Sequence, residues 1–214
     1  MTQEHALPID IMRRAVRGVN YIGHPLRLRI LEYLDVNDAS SVLDMAKSLG
    51  VEQVILSQHL KKLRDADLVQ TKRQGNFIFY SIHSEYPASI FVCLRKLYGV
   101  MSGNLKFIKD NYKAILPTDF TIMAAGRIKL FANFDKMRVL EYLILNQNSS
   151  VNEIADGVGK PSVKISQVLK KLKEEEFVSF ERKGRNIFYT TGKGVHYTTI
   201  QCIRKRYSNI GNKF

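Results

Sequence analysis

Apolar residues recur at helical spacing along most of the chain, and the pattern comes twice. Leu56, Leu60 and Leu63 form one stripe, and Ile165, Leu169 and Leu172 form another 109 positions later. Each stripe predicts the buried side of an amphipathic helix. The opposite face of the first helix carries Gln53, Ser57, Gln58, Lys61 and Lys62; that of the second carries Ser162, Ser166, Gln167, Lys170 and Lys171. Amide, hydroxyl and ammonium groups one turn apart are the groups that reach base edges and phosphates from inside a major groove. A solvated surface helix has a similar composition, so the faces alone leave both readings open.

Ile11, Met12, Ala15, Val16, Val19 and Ile22 predict a helix that Asp10 can cap, with Arg13, Arg14 and Arg17 on its other side. His24-Pro25 breaks it and starts the next, over 26–34, since proline suits a first helical turn. A polar turn over 37–41 follows. Ser40 or Ser41 can cap a short helix over 42–48, and Gly50 closes it. The helix bearing the first stripe then spans about 52–65. Two β-prone runs, 68–72 and 77–82, flank a Gly-Asn turn with Lys72 and Arg73 beside it. Two short helices joined by a tight turn and followed by a hairpin make a helix-turn-helix with a wing, whose basic tip can reach a minor groove or backbone. A helix bearing Ile90, Phe91, Leu94, Leu97 and Tyr98 closes the module, and 99–118 reads as a helical extension and connector.

Residues 133–191 repeat residues 24–82 without a gap, with 24 of 59 positions identical. Chance does not produce a match of that length, so the chain is read as a duplication. The closing helix repeats as well, with Cys93, Arg95, Lys96 and Tyr98 falling on Cys202, Arg204, Lys205 and Tyr207. The expected architecture is mainly α with small β-hairpin wings: two tandem winged helix-turn-helix domains, 10–98 and 119–210, joined by 99–118. The copies differ where they would touch a ligand. Ile55 corresponds to Lys164 and His59 to Val168, and the wing turn is Gln74-Gly75-Asn76 in one and Lys183-Gly184-Arg185 in the other, after Arg73 and Arg182 respectively.

The net charge of +13 and pI near 9.7 point to a polyanionic partner. The two modules hold little of that excess, +1 over 24–82 and +2 over 133–191, against +4 over 83–132 and +5 over 192–214. The case for binding therefore rests on placement. No apolar run reaches the roughly 18 residues of a membrane helix, the N-terminus lacks a secretory pattern, and two cysteines indicate no disulfide framework. The expected setting is cytoplasmic, with no membrane partner.

The run His24-Pro25-Leu26-Arg27-Leu28-Arg29-Ile30-Leu31, the run Ser57-Gln58-His59-Leu60-Lys61-Lys62-Leu63, Leu68-Val69, and the wing Arg73-Gln74-Gly75-Asn76 into Phe79-Tyr80 together resemble the ArsR/SmtB family of winged-helix repressors. The resemblance covers nearly all of 11–98, and 120–207 less closely. It implies dimerisation through the first and last helices and operator binding through the helix after the turn, so that one chain is a built-in pseudo-dimer. The chain would be a monomer, although further dimerisation stays open, as does whether the first and last helices pack within one chain or exchange between two. Metal sensors of the family often carry a Cys-x-Cys cluster on the helix before the recognition helix, but here that segment is Val42-Leu43-Asp44-Met45-Ala46. Neither closing helix has carboxylate and histidine ligands at metal spacing, and His83 and His196 are not equivalent. No metal and no cofactor are expected.

Cys93 and Cys202 are equivalent positions and form a candidate redox pair, or else two small buried hydrophobes. Val54 and Val163, near the starts of the two recognition helices, are candidates for thymine-methyl contacts or for packing. The expected function is sequence-specific double-stranded DNA binding for transcription regulation, more readily repression than activation because no separate activation domain is visible. The candidate DNA-binding set is Gln53, Val54, Ser57, Gln58, His59, Lys61, Lys62, Lys72, Arg73 and Asn76 in the first copy. In the second it is Ser162, Lys164, Ser166, Gln167, Lys170, Lys171, Arg182, Lys183 and Arg185. Competing classes are a winged-helix protein scaffold and an architectural DNA binder. An enzyme is disfavoured: Gly157-Val158-Gly159-Lys160-Pro161-Ser162 lacks the first glycine of a phosphate loop, since position 154 is Ile.

Overall fold

Pro25 fixes the first turn of a helix after His24, whose backbone is extended at φ −111° and ψ 124°, so the chain leaves α1 (Ile9–Ile22) and re-enters helix as α2 (Pro25–Asn37). The computed structural model describes residues 6–83, 89–109 and 113–192. They fall into two units, Arg17–Ala132 and Met1–Val16 with Asn133–Phe214. The division lies inside α1.

The continuous unit carries α2, β1 (Ala39–Ser41), α3 (Val42–Leu49), α4 (Gln53–Asp65), β2 (Val69–Gln74), β3 (Phe77–Ile82), α5 (Ser89–Ser102), a 3-10 turn (Leu105–Ile108) and α6 (Thr118–Leu130). Leu28, Ile30, Leu31 and Leu34 of α2, Met45 of α3, and Leu56, Leu60 and Leu63 of α4 are fully buried together. The strands form an antiparallel sheet in the order β1-β3-β2, with Gln74 opposite Phe77 at the hairpin tip. β1 falls within the stretch that sequence reads as a polar turn. Its serines are buried because the backbone pairs with β3, Ser41 opposite Phe79, a partner that local composition does not reveal.

Ser41 caps α3, its hydroxyl oxygen accepting the Asp44 N–H at 3.2 Å. Gly50 ends the helix at φ 65°, where a side chain is strained, and returns its N–H to the Ala46 carbonyl. That left-handed residue turns the chain from α3 into α4.

The discontinuous unit contains α7 (Phe134–Leu145), β4 (Ser149–Ser150), α8 (Val151–Val158), α9 (Ser162–Glu174), β5 (Val178–Lys183) and β6 (Asn186–Thr191). Its sheet order, β4-β6-β5, follows the same plan. Ser150 and Glu153 form a reciprocal capping box at α8, whose hydrogen bonds hold the Glu153 carboxyl below its usual range. Gly159 repeats the left-handed closure at φ 68°.

A buried glutamate ties an entering arm into each unit. Leu116 N–H donates to Glu32 Oε1 of α2 at 2.7 Å, and Leu7 N–H donates to Glu141 Oε1 of α7 at 2.7 Å. Both carboxylates are almost wholly excluded from solvent. Arg138 supports Glu141, with Nη1 at 3.2 Å from its Oε2 and from the Leu7 carbonyl oxygen. The Glu32 carboxyl is pushed up to about 7 by burial, with Asp35 adding to the rise against the Leu116 N–H, Arg95 and Arg29. Arg95 of α5 lies 2.7 Å from the buried Asp35 carboxylate and donates through Nε to the Ala114 carbonyl at 2.9 Å. The position equivalent to Asp35 in the other unit is Ile144, and it is buried.

Candidate nucleic-acid interface

The apolar stripe of α4 faces inward, which leaves the rest of the helix to solvent. Gln53, Val54, Ser57, Gln58, Lys61 and Lys62 are all exposed. On α9 the exposed set is Val163, Lys164, Ser166, Gln167, Lys170 and Lys171, while Ser162 is half-buried. Each unit thus presents one helix face of hydroxyl, amide and ammonium groups, held by the glycine turn before it.

His59 lies off this face. It is half-buried, with its ring centroid 4.6 Å from that of His24, and its counterpart Val168 belongs to the core. Burial lowers the pKa of both imidazoles; the nearby Arg27 and Lys62 add to the effect on each, and His59 and Lys129 add further to that on His24. The Nδ1 atoms of both rings are buried without a hydrogen-bond partner among the described residues. The arrangement sets the imidazole at the start of α2 against one within α4.

The wings differ in charge and chemistry. On the first, Lys72, Arg73 and Asn76 are exposed, and Arg73 Nε donates back to the Gly75 carbonyl at 3.1 Å. Phe77 beside that tip is 61% exposed. On the second, Arg182, Lys183 and Arg185 are exposed, with Lys183 Nζ 3.2 Å from Glu181. Lys164 pairs with Asp135 at 3.3 Å. Ile55, Leu43 and Phe77 are exposed residues of these surfaces outside the sequence-based set. The signal that marks them is their exchange for Lys164, Asn152 and Asn186 in the other copy.

Cys93 is half-buried, and Cys202 lies outside the described residues. Among the described residues no group of three or more His, Cys, Asp or Glu is placed to hold a metal ion, and no helix is long and apolar enough to cross a membrane.

Comparison with known proteins follows the same residues. A helix-turn-helix domain model matches 22–71, the span from the end of α1 into β2. The nodulation protein NolR of Rhizobium meliloti is 40% identical over 78 residues, which are 36% of this chain and 63% of NolR. The chain therefore spans just under two thirds of that relative. The HTH-type transcriptional regulator YgaV of Escherichia coli is 32% identical over 36% of this chain and 78% of its own length. A biofilm growth-associated repressor of Xylella fastidiosa is 30% identical over 45% of this chain and 87% of its own. With exposed polar helices behind glycine turns, basic hairpins beside them, and relatives matched over most of their length, the chain belongs to the HTH-type transcriptional regulators, winged helix-turn-helix proteins that act on DNA.

Proposed function

We propose that one chain reads double-stranded DNA with two unlike heads, α4 with the β2–β3 wing and α9 with the β5–β6 wing, and acts as an ArsR-like repressor. The observation that carries this reading is the exposure on both helices of the same set, Ser57, Gln58, Lys61 and Lys62 against Ser166, Gln167, Lys170 and Lys171. A protein scaffold has no reason to keep two ammonium groups and an amide on equivalent faces, whereas phosphate and base contacts use both. A homodimer reads a palindrome because its heads are identical, and a fused pair is free of that constraint. The exchanges Ile55 for Lys164 and Gln74-Gly75-Asn76 for Lys183-Gly184-Arg185 make the half-sites unlike. One chain supplies both heads, so the active species is a monomeric pseudo-dimer.

The test is selection from random duplex DNA at near-physiological salt, followed by salt titration of the winning site. Two non-identical half-sites separated by about one helical turn or a multiple are expected. Removing Lys61 and Lys62 together lowers the salt slope by about 2, near 0.9 for each phosphate released. Weak, uniform binding with no enriched sequence overturns the reading in favour of an architectural binder.

A further inference from the structure

The two heads differ in chemical character as well as in charge. Leu43 of α3 and Val54 and Ile55 in the first turn of α4 are 57%, 69% and 42% exposed. None is needed for the core, which Leu56, Leu60 and Leu63 supply from the other side of the helix. Their counterparts are Asn152, Val163 and Lys164, and in that unit the polar replacements are engaged. Ser162 Oγ and Asn152 Oδ1 are hydrogen-bonded at 3.0 Å, and Lys164 meets Asp135 at 3.3 Å. Those contacts show what these positions adjoin: position 43 corresponds to one beside the start of the recognition helix, and position 55 to one beside the residue equivalent to Leu26. The first head therefore has an aliphatic leading end where the second has a polar one.

Single exposed aliphatics are ordinary on a protein surface, but several at one end of a binding helix mark a contact. The surface next to them selects the occupant. Ser57, Gln58, Lys61 and Lys62 are exposed on the same helix, a charge and hydrogen-bonding complement to DNA and a poor match for an apolar protein face. Within the major groove the thymine C5-methyl is the apolar feature that distinguishes one base pair from another. We infer that the first head selects thymine-rich steps by packing Leu43, Val54 and Ile55 on thymine methyls, while the second head keeps one such contact, through Val163. This inference rests on the reading that α4 enters a major groove.

The experiment replaces thymine by deoxyuridine, which lacks only that methyl, one half-site at a time in the selected operator, using the full native chain. The half-site of the first head is identified as the one losing protection in Gln58→Ala. Uracil there is expected to weaken binding about four-fold for each methyl contacted, the equivalent of one buried methylene, so roughly ten-fold or more when two or three are lost. In the other half-site uracil costs no more than a single such step. The doubly substituted Val54→Ser, Ile55→Ser chain is expected to bind the thymine and uracil forms of the first half-site alike. Equal binding of the two forms by the native chain, at an operator that selection does enrich, overturns the methyl readout and leaves the two-headed reading standing. Failure to enrich any operator overturns both.

Discussion

The main-chain N–H of Leu7 and Oε1 of Glu141 are 2.7 Å apart across 134 residues of sequence. The acceptor is buried and also holds Arg138 at 3.2 Å, so its loss strands an amide and a guanidinium together. Glu141→Ala is expected to lower the free energy of unfolding by about 3 kcal/mol, in the range for a hydrogen bond to a buried charge and for a broken buried pair. Urea denaturation reads the loss, and amide exchange at Leu7 locates it. Unchanged protection at Leu7 would show that the arm is held by other contacts.

Glu32 makes the equivalent bond to Leu116, and burial pushes its carboxyl up to about 7 from an ordinary 4.5. The native state then binds the proton more tightly than the unfolded state. Its contribution is complete below pH 4.5 and is lost as pH rises through 7, a decline of about 3 kcal/mol at 1.36 kcal/mol per pKa unit. Glu32→Gln keeps an acceptor oxygen for Leu116 and removes the titration. Its stability profile between pH 4.5 and 8 is expected to be flatter than that of the native chain, with the gain at the alkaline end.

The imidazoles of His24 and His59 shift the other way, lowered chiefly by burial. The unfolded state takes up the proton first, so their contribution is present above pH 6.5 and is lost as the pH falls through the lowered native values. His59→Val copies the residue at position 168 and is expected to reduce the acid sensitivity below pH 6.5 in thermal melts, leaving the part that comes from the burial of His24. An unaltered profile would mean that the pair does not titrate with unfolding.

Asp35 and Arg95 form a buried pair at 2.7 Å where the other unit has Ile144. Asp35→Ile alone takes from the buried Arg95 the carboxylate 2.7 Å away and is expected to cost about 3–5 kcal/mol. Adding Arg95→Leu is expected to recover much of that loss, the remainder reflecting the bond to the Ala114 carbonyl. A double-mutant cycle in urea measures both.

The helices, the turns and the hairpins were legible because their causes are local: stripes at 3.6-residue spacing, Ser41 and Ser150 as caps, Gly50 and Gly159 in a left-handed conformation. Exposure of the lysines and glutamines on α4 and α9 followed from the same stripes. The glutamates were not legible. Within Leu-Glu-Tyr-Leu, both Glu32 and Glu141 read as ordinary helix residues, and their burial depends on an amide arriving from 84 or 134 residues away. His59 belongs to the DNA-facing set that the sequence predicts, and the structure sets its ring against His24. The repeat carried the clue, since an apolar Val168 stands at the same position.

The same arm sets an order of events during synthesis. Leu7 leaves the ribosome 134 residues ahead of the carboxylate that receives it, and at about 5–20 residues per second it waits on the order of 10 s. The unit spanning Arg17–Ala132 is contiguous and can close while translation continues. The unit that recruits Leu7 is completed by residues from Asn133 onward, so the segment around Leu7 is locked only after the contiguous unit has had time to close.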